Sequence, residues 1–142
     1  MKRTTARIIA LMILYNYEIT NVLDYKGIKE IVDEDLKLDN DIMYDDSFVN
    51  QIVDGVLENL KEIDHVISIH LKKYTIDRLN YVDRNLIRIA VYEMMNTNIP
   101  TSIIINEIIE ISKEYSEIEG YESSKFNNSL LDNIAKGLSD GK

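Results

Sequence analysis

Fourteen residues, Val82–Met95 (VDRNLIRIAVYEMM), constrain the fold of this chain more than any other stretch. Apolar side chains fall at Leu86, Ile89 and Ala90, and again at Ile87, Val91 and Met94. Offsets of three and four are the helical period. The apolar arc is too wide for a helix covered on one side. It predicts a helix packed on several sides, at the centre of a small all-α core. Asp83 stands where a carboxylate caps a first turn and meets the positive end of the helix dipole. Asn96, Asn98 and Pro100 form a stop signal.

The flanking segments read as helices around this post. Thr4 or Thr5 caps a first helix to about Thr20, with Ile8, Leu11, Met12, Tyr15 and Ile19 as its expected inner face. A second runs from about Asp24 to Leu36 with Ile28, Ile31 and Val32 inward, and an acidic loop, Lys37 to Asp46, follows. Asp46 or Ser47 opens a third, with Phe48, Ile52, Val53, Val56, Leu57 and Leu60 on one face. A fourth starts near Glu62 and carries Ile63, Val66, Ile67 and Leu71. A short turn from Ile76 to Leu79, capped by Thr75, leads into the central helix. The isoleucines of TSIIINEIIEISKEY favour a strand by propensity. Polar residues at Asn106, Glu107, Glu110, Lys113 and Glu114 restore the helical period. A last helix is expected from about Glu122 to Leu138, with Phe126, Leu130, Leu131 and Ile134 inward. The total is about seven helices, if the short turn merges with the central one.

A chain of 142 residues with 45% hydrophobic content suits one domain, or two small halves sharing a core. The absence of cysteine excludes disulfides and thiolate metal sites and fits a reduced cytoplasmic setting. No apolar run is long enough to span a bilayer. The early patch IIALMIL is followed by Tyr15, Asn16, Tyr17 and Glu18 rather than a small-residue cleavage site, so it reads as an amphipathic helix. One proline and five glycines favour long helices over many turns.

The net charge of -9 by itself disfavours nucleic acid. The distribution is uneven. Residues 1–17 hold Lys2, Arg3 and Arg7 and no acid, whereas residues 24–46 hold nine acids against three lysines. A basic head of this size reads either as a frayed terminus or as a small phosphate-binding patch.

Catalytic and metal motifs do not assemble. His65 and His70 are five apart, roughly 140° around a helix, too far to share a metal. Glu62 and His65 have the spacing of a di-iron bundle, but such a site needs a second copy and further carboxylates. Asp39 and Asp41 begin like a calcium loop, but Met43 fills the third ligand position and no glycine follows. Walker, dinucleotide-binding and nucleophile-elbow glycine patterns are absent. The residues point to no enzyme, cofactor or metal.

The order of motifs from the middle to the end carries specific information. Ile63 and Asp64, then Arg78 and Leu79, then Val82, Asp83, Arg84, Arg88, Ala90, Tyr92 and Glu93 form one run. Pro100, Ile105, Asn106, Glu107, Glu110 and Lys113 form a second, and Lys125, Phe126, Asn128, Leu131 and Asp132 a third. With Arg7, Ala10, Leu14, Tyr15 and Glu18 near the start, this pattern closely resembles the NusB family of bacterial transcription antitermination factors, over the whole chain except the acidic loop. Tyr74 stands where the family usually has tryptophan, Tyr17 likewise keeps an aromatic, and Asn127 and Ser129 replace valine and glycine. The N-terminus has fewer arginines than many relatives.

The resemblance implies a single NusB-like domain, 1–142, made of two small helical bundles, here divided as 1–73 and 74–142. It implies binding of boxA RNA in nascent, mainly ribosomal, transcripts, jointly with NusE, a small-subunit ribosomal protein, within an RNA polymerase antitermination complex. It assigns RNA contacts to Lys2, Arg3, Arg7, Tyr15, Glu122, Lys125 and Phe126, and NusE contacts to Asp77 and Asp83. An acidic surface suits a basic partner, and rings that stack on unpaired bases suit single-stranded RNA. Two alternatives accompany it: a targeting partner of a ribosomal RNA methyltransferase, and a helical interaction module that forms a homodimer.

Overall fold

The computed structural model describes residues 2–38, 44–72, 75–116 and 123–140. Seven α-helices account for nearly all of them, and no strand occurs among the described residues. They are α1 (Lys2–Thr20), α2 (Tyr25–Leu38), α3 (Asp46–Glu58), α4 (Leu60–His70), α5 (Tyr81–Asn96), α6 (Thr101–Tyr115) and α7 (Ser123–Asp140), with a 3-10 turn at Ile76–Arg78 before α5. Two compact units result, Met1–Gly55 and Val56–Lys142. The expected division at 73/74 therefore moves to the last turn of α3. The reason is packing: α4 lies against α5 and α7, so it belongs to the second unit.

In the first unit α1 packs on α2. Ala6, Ile9, Ala10, Ile13 and Leu14 are buried on α1, while Met12, Tyr15 and Ile19 are exposed. This corrects the expected inner face, of which only Leu11 is buried. The middle of the first helix, residues 8–15, is an unbroken apolar run, so two stripes share the same period there. Burying the stripe that contains Ala6 and Ala10 puts small side chains on the covered face. Ile31 of α2 is likewise exposed, with Ile28 and Val32 inward. Helix α1 ends at Asn21, whose φ of 61° is the left-handed conformation that asparagine tolerates. Helix α2 opens with the Asp24 carboxylate accepting from the Gly27 N–H at 2.8 Å. A Cβ on Gly27 would meet that carboxylate at 2.3 Å, so any other residue there would make the Asp24 side chain shift. Across to α3, Lys29 reaches Asn50 at 2.7 Å and Asp46 at 2.8 Å.

In the second unit α5 is the post. Every residue from Asp83 to Glu93 is buried, and α4, α6 and α7 all pack on it. Fully burying a Leu or Ile contributes about 1.5–3 kcal/mol; Leu86, Ile87 and Ile89 of α5 are fully buried, as are Ile63 and Ile67 of α4, Ile104 and Ile108 of α6 and Leu131 of α7. The cap of α5 is Asn80 rather than Asp83: the Asn80 Oδ1 accepts from the Asp83 N–H at 2.8 Å. At the other end Thr97 Oγ1 and Asn96 Nδ2 donate to the Glu93 and Tyr92 carbonyls at 2.7 and 3.1 Å. The Glu93 carbonyl also accepts from the Thr97 N–H at 3.0 Å, so these side chains add second bonds at the helix end. Arg88 of α5 grips Asp64 of α4 in bidentate fashion, Nε to Oδ1 at 2.8 Å and Nη2 to Oδ2 at 2.9 Å.

Candidate nucleic-acid interface

The residues assigned to RNA fall in both units. In the first unit Arg3 and Arg7 are one turn apart on α1 and share a face. Their guanidinium carbons lie 4.6 and 5.4 Å from the centroid of the Phe48 ring. Arg3 is exposed, but Arg7 is only 3% exposed. The basic head is thus partly built into the fold, and Arg7 is a packing residue at least as much as a surface cation. Beneath it, Asp45 caps α3, accepting from the Ser47 hydroxyl at 2.7 Å and the Phe48 N–H at 3.1 Å. The Ser47 hydrogen bond first, then that of Phe48, and more weakly the Arg3 charge, hold the Asp45 carboxyl below its ordinary value. Tyr15 is 38% exposed on the open side of α1, between Met12 and Ile19. The side chain of Lys2 and the whole of Glu122 and Tyr74 lie outside the described residues.

In the second unit Lys125 is exposed and Phe126 is 36% exposed. Phe126 therefore leaves the inward face expected for it. Asn127 takes that place, fully buried. The buried asparagine donates Nδ2 to Asp83 Oδ1 at 2.8 Å and to Ser112 Oγ at 3.1 Å. The Ser116 hydroxyl also donates to Asp83 Oδ1, and Ser123 Oγ donates to Ser116 Oγ at 3.1 Å. Asn80 Nδ2 donates to Asp83 Oδ2 at 3.0 Å. The carboxylate thus ties the start of α5 to the end of α6 and the start of α7. Three helix termini meet on one acceptor, and the tie holds α7 directly beside Lys125 and Phe126.

Asp77 and Asp83 are consequently not equivalent. Asp77 is exposed on the 3-10 turn, whereas Asp83 is 2% exposed. Arg84 fixes the turn by donating to the Ile76, Asp77 and Leu79 carbonyls at 3.2, 3.0 and 3.0 Å. The structure gives Asp77 a surface position and Asp83 an internal one.

Sequence reasoning missed a groove beside Phe126. It has a volume of about 240 Å³. One wall is the end of α4 and the residues after it, His70, Leu71 and Lys72; the other is α7, through Phe126, Ser129, Leu130 and Asn133. The signal was present as offsets of three, four and seven from Phe126, but Ser129 and Asn133 are polar and do not extend an apolar stripe. No group of three or more His, Asp or Glu suited to a metal ion occurs among the described residues. No described helix is long and apolar enough to cross a membrane.

These features define, among the described residues, an all-helical protein in which two arginines lie over a buried ring in the first unit and an exposed lysine neighbours a partly exposed ring in the second. The chain belongs to the NusB family, whose model matches residues 4–136. It is 39% identical over 136 residues to the transcription antitermination protein NusB of Listeria innocua, covering 95% of this chain and 97% of that one. The structure is similar to that of T. maritima NusB, with a TM-score of 0.77, 35% identity, and 96% and 92% of the two chains covered. It is also similar to a chain in the crystal structure of antitermination factors NusB and NusE in complex with double-stranded RNA. There the TM-score is 0.74 and the identity 29%, with 96% and 97% covered.

Proposed function

We propose that this chain is a transcription antitermination factor of the cytoplasm that binds boxA RNA of nascent ribosomal transcripts together with NusE. The pair acts on RNA polymerase to suppress termination. The chain works by binding and performs no catalysis. The observation that carries the reading is the α7 corner, where Phe126 is turned out of the core beside exposed Lys125 while Asn127 is locked inside. A ring and a cation on a fixed backbone are what an unpaired base and its phosphate require. The likeness to a NusB that was crystallised with NusE and RNA supports the same reading. Exposed Asp77 is the acidic contact proposed for NusE, which as a ribosomal protein is basic.

The net charge of -9 sets the expected affinity pattern. Alone, the chain should bind boxA RNA weakly and with a shallow salt dependence, because it offers few phosphate contacts. With NusE the binding should tighten and the salt slope should steepen. An electrophoretic shift series across salt concentrations, with and without NusE, tests this. Equal affinity and equal slope in the two series would overturn cooperation, and no shift in either would overturn RNA binding.

A further inference from the structure

Two of the surface grooves among the described residues of the second unit differ in charge. The larger, about 660 Å³, is lined by Glu58, Glu62 and Asp64 together with Lys61 and His65, and Asp64 is already paired with Arg88, so it holds acids that a phosphate would have to approach. The smaller, beside Phe126, has no Asp or Glu among the described residues that line it, although the chain holds 25 acids. It carries Lys72 at one edge and follows Lys125 and Phe126 along α7. Its volume of about 240 Å³ is below the roughly 300–1,000 Å³ of a pocket for a drug-sized molecule, a size that suits one ring system.

The groove is also preformed. His70 Nδ1 lies 2.8 Å from the Val66 carbonyl and donates to it, which fixes the ring. The opposite nitrogen, Nε2, would stand 2.7 Å from a Cβ on Gly137, so the imidazole lies close to the α7 backbone and a side chain there would have to displace it. Leu71 and Leu130 supply apolar walls. Asn133, exposed on α7, offers a carboxamide with one acceptor and two donors.

We propose that this groove receives one unpaired RNA base, which stacks against Phe126 and has its edge read by Asn133, while Lys72 meets the adjoining phosphate. The proposal rests on the RNA-binding reading above and adds to it a place where base identity is sensed. Cations alone would position the RNA without reading it. An asparagine amide pairs with the donor and acceptor edge of a base, and such pairs discriminate among bases.

The test uses the full chain with NusE, a boxA RNA, and a set of the same RNA with one base replaced at a time, read by fluorescence anisotropy. Asn133→Ala should weaken binding of the parent RNA by roughly 5- to 150-fold and should abolish the preference at one RNA position only. Its melting curve should match the parent's, since Asn133 is exposed. Lys72→Gln should weaken every RNA in the set alike and reduce the salt slope, whereas Lys61→Gln, on the acidic groove, should do neither. If the parent protein binds the RNA set with clear preferences and Asn133→Ala keeps all of them, the groove is not the reading site and this proposal falls alone. If the parent shows no RNA binding with NusE present, the RNA-binding reading falls, and this proposal with it.

Discussion

Asn127 donates its side-chain N–H to the Asp83 carboxylate at 2.8 Å, joining two buried residues 44 positions apart in the chain. The bond links the start of α7 to the start of α5, and Ser116 brings in the end of α6 through the same oxygen. Removing the acceptor takes a partner from two buried donors, the Ser116 hydroxyl and the Asn127 amide, and a buried donor left unsatisfied costs about 1–3 kcal/mol. Asp83→Ala should therefore lose roughly 2–5 kcal/mol of stability in urea unfolding. Asp77→Ala should leave stability nearly unchanged and lower NusE affinity, because its carboxylate is exposed. If Asp83→Ala unfolds like the parent but binds NusE poorly, Asp83 is a surface contact after all.

The two arginines of α1 should separate on substitution. Arg3 is exposed over Phe48, and Arg3→Gln should cost about 0.5–1 kcal/mol, the range for an exposed cation over a ring. Arg7 is buried against the same ring and should cost about 2 kcal/mol or more. Changing Lys2, Arg3 and Arg7 together to Gln should weaken RNA binding for all sequences alike, since phosphate contacts carry no base information. Thermal melts of the single variants beside RNA titrations of the triple variant measure both effects. Equal melting temperatures for the Arg3 and Arg7 variants would contradict the burial difference.

Arg88→Lys tests the clamp between α4 and α5. Lysine keeps the charge but cannot form the two parallel bonds to Asp64. The expected loss is roughly 1.5–3 kcal/mol, the range for hydrogen bonds to charged groups. A double-mutant cycle with Asp64→Asn should show coupling of similar sign, and zero coupling would mean the two groups do not depend on each other.

Gly137→Ala should act at a distance from its own surface. The new methyl would lie 2.7 Å from His70 Nε2 and 3.2 Å from its Cε1, so the ring or α7 must move. Helix propensity alone would favour alanine by about 1 kcal/mol. A variant that is no more stable than the parent, with altered His70 ring resonances by NMR, is expected. A gain of the full propensity difference with unchanged resonances would show that the contact gives way freely.

Acid should weaken the α3 cap. The Asp45 carboxyl is held below its ordinary value of 3.8, chiefly by the Ser47 hydroxyl. A lowered native value means the folded state favours the ionised form, so this stabilisation is present above pH 3.8 and is lost as pH falls below it. Asp45→Asn, which can still accept the cap hydrogen bonds, should flatten the acid limb of melting temperature against pH in that range. An acid limb that is identical in the variant would remove Asp45 from it.

The helices and the family were legible in the sequence because both depend on local spacing. A period of 3.6 marks α5 and α6 even where β-branched isoleucines favour a strand, and the motif order from Ile63 to Asp132 is a property of the chain itself. Which side of a helix is buried was legible only where one side is polar. Helix α6 has that contrast: Asn106, Glu107, Glu110, Lys113 and Glu114 mark its polar positions, and Ile104, Ile108 and Ile111 are inside. Helix α1 lacks it, and only packing on its neighbours chose Ala6, Ile9 and Ile13 over Met12, Tyr15 and Ile19. The tertiary structure also decided three matters at the candidate site. It put Asp83 inside and left Asp77 outside, a distinction two aspartates near one helix start cannot carry. It exchanged Phe126 for Asn127 on the inward face, because the Asp83 carboxylate gives a buried amide an acceptor that periodicity cannot foresee. It brought His70 and Lys72 beside Asn133, some sixty residues on, where α7 crosses the end of α4 and Gly137 allows close approach. Spacing along a chain fixes what repeats within one helix, and contact between helices fixes which of the repeated faces meets water.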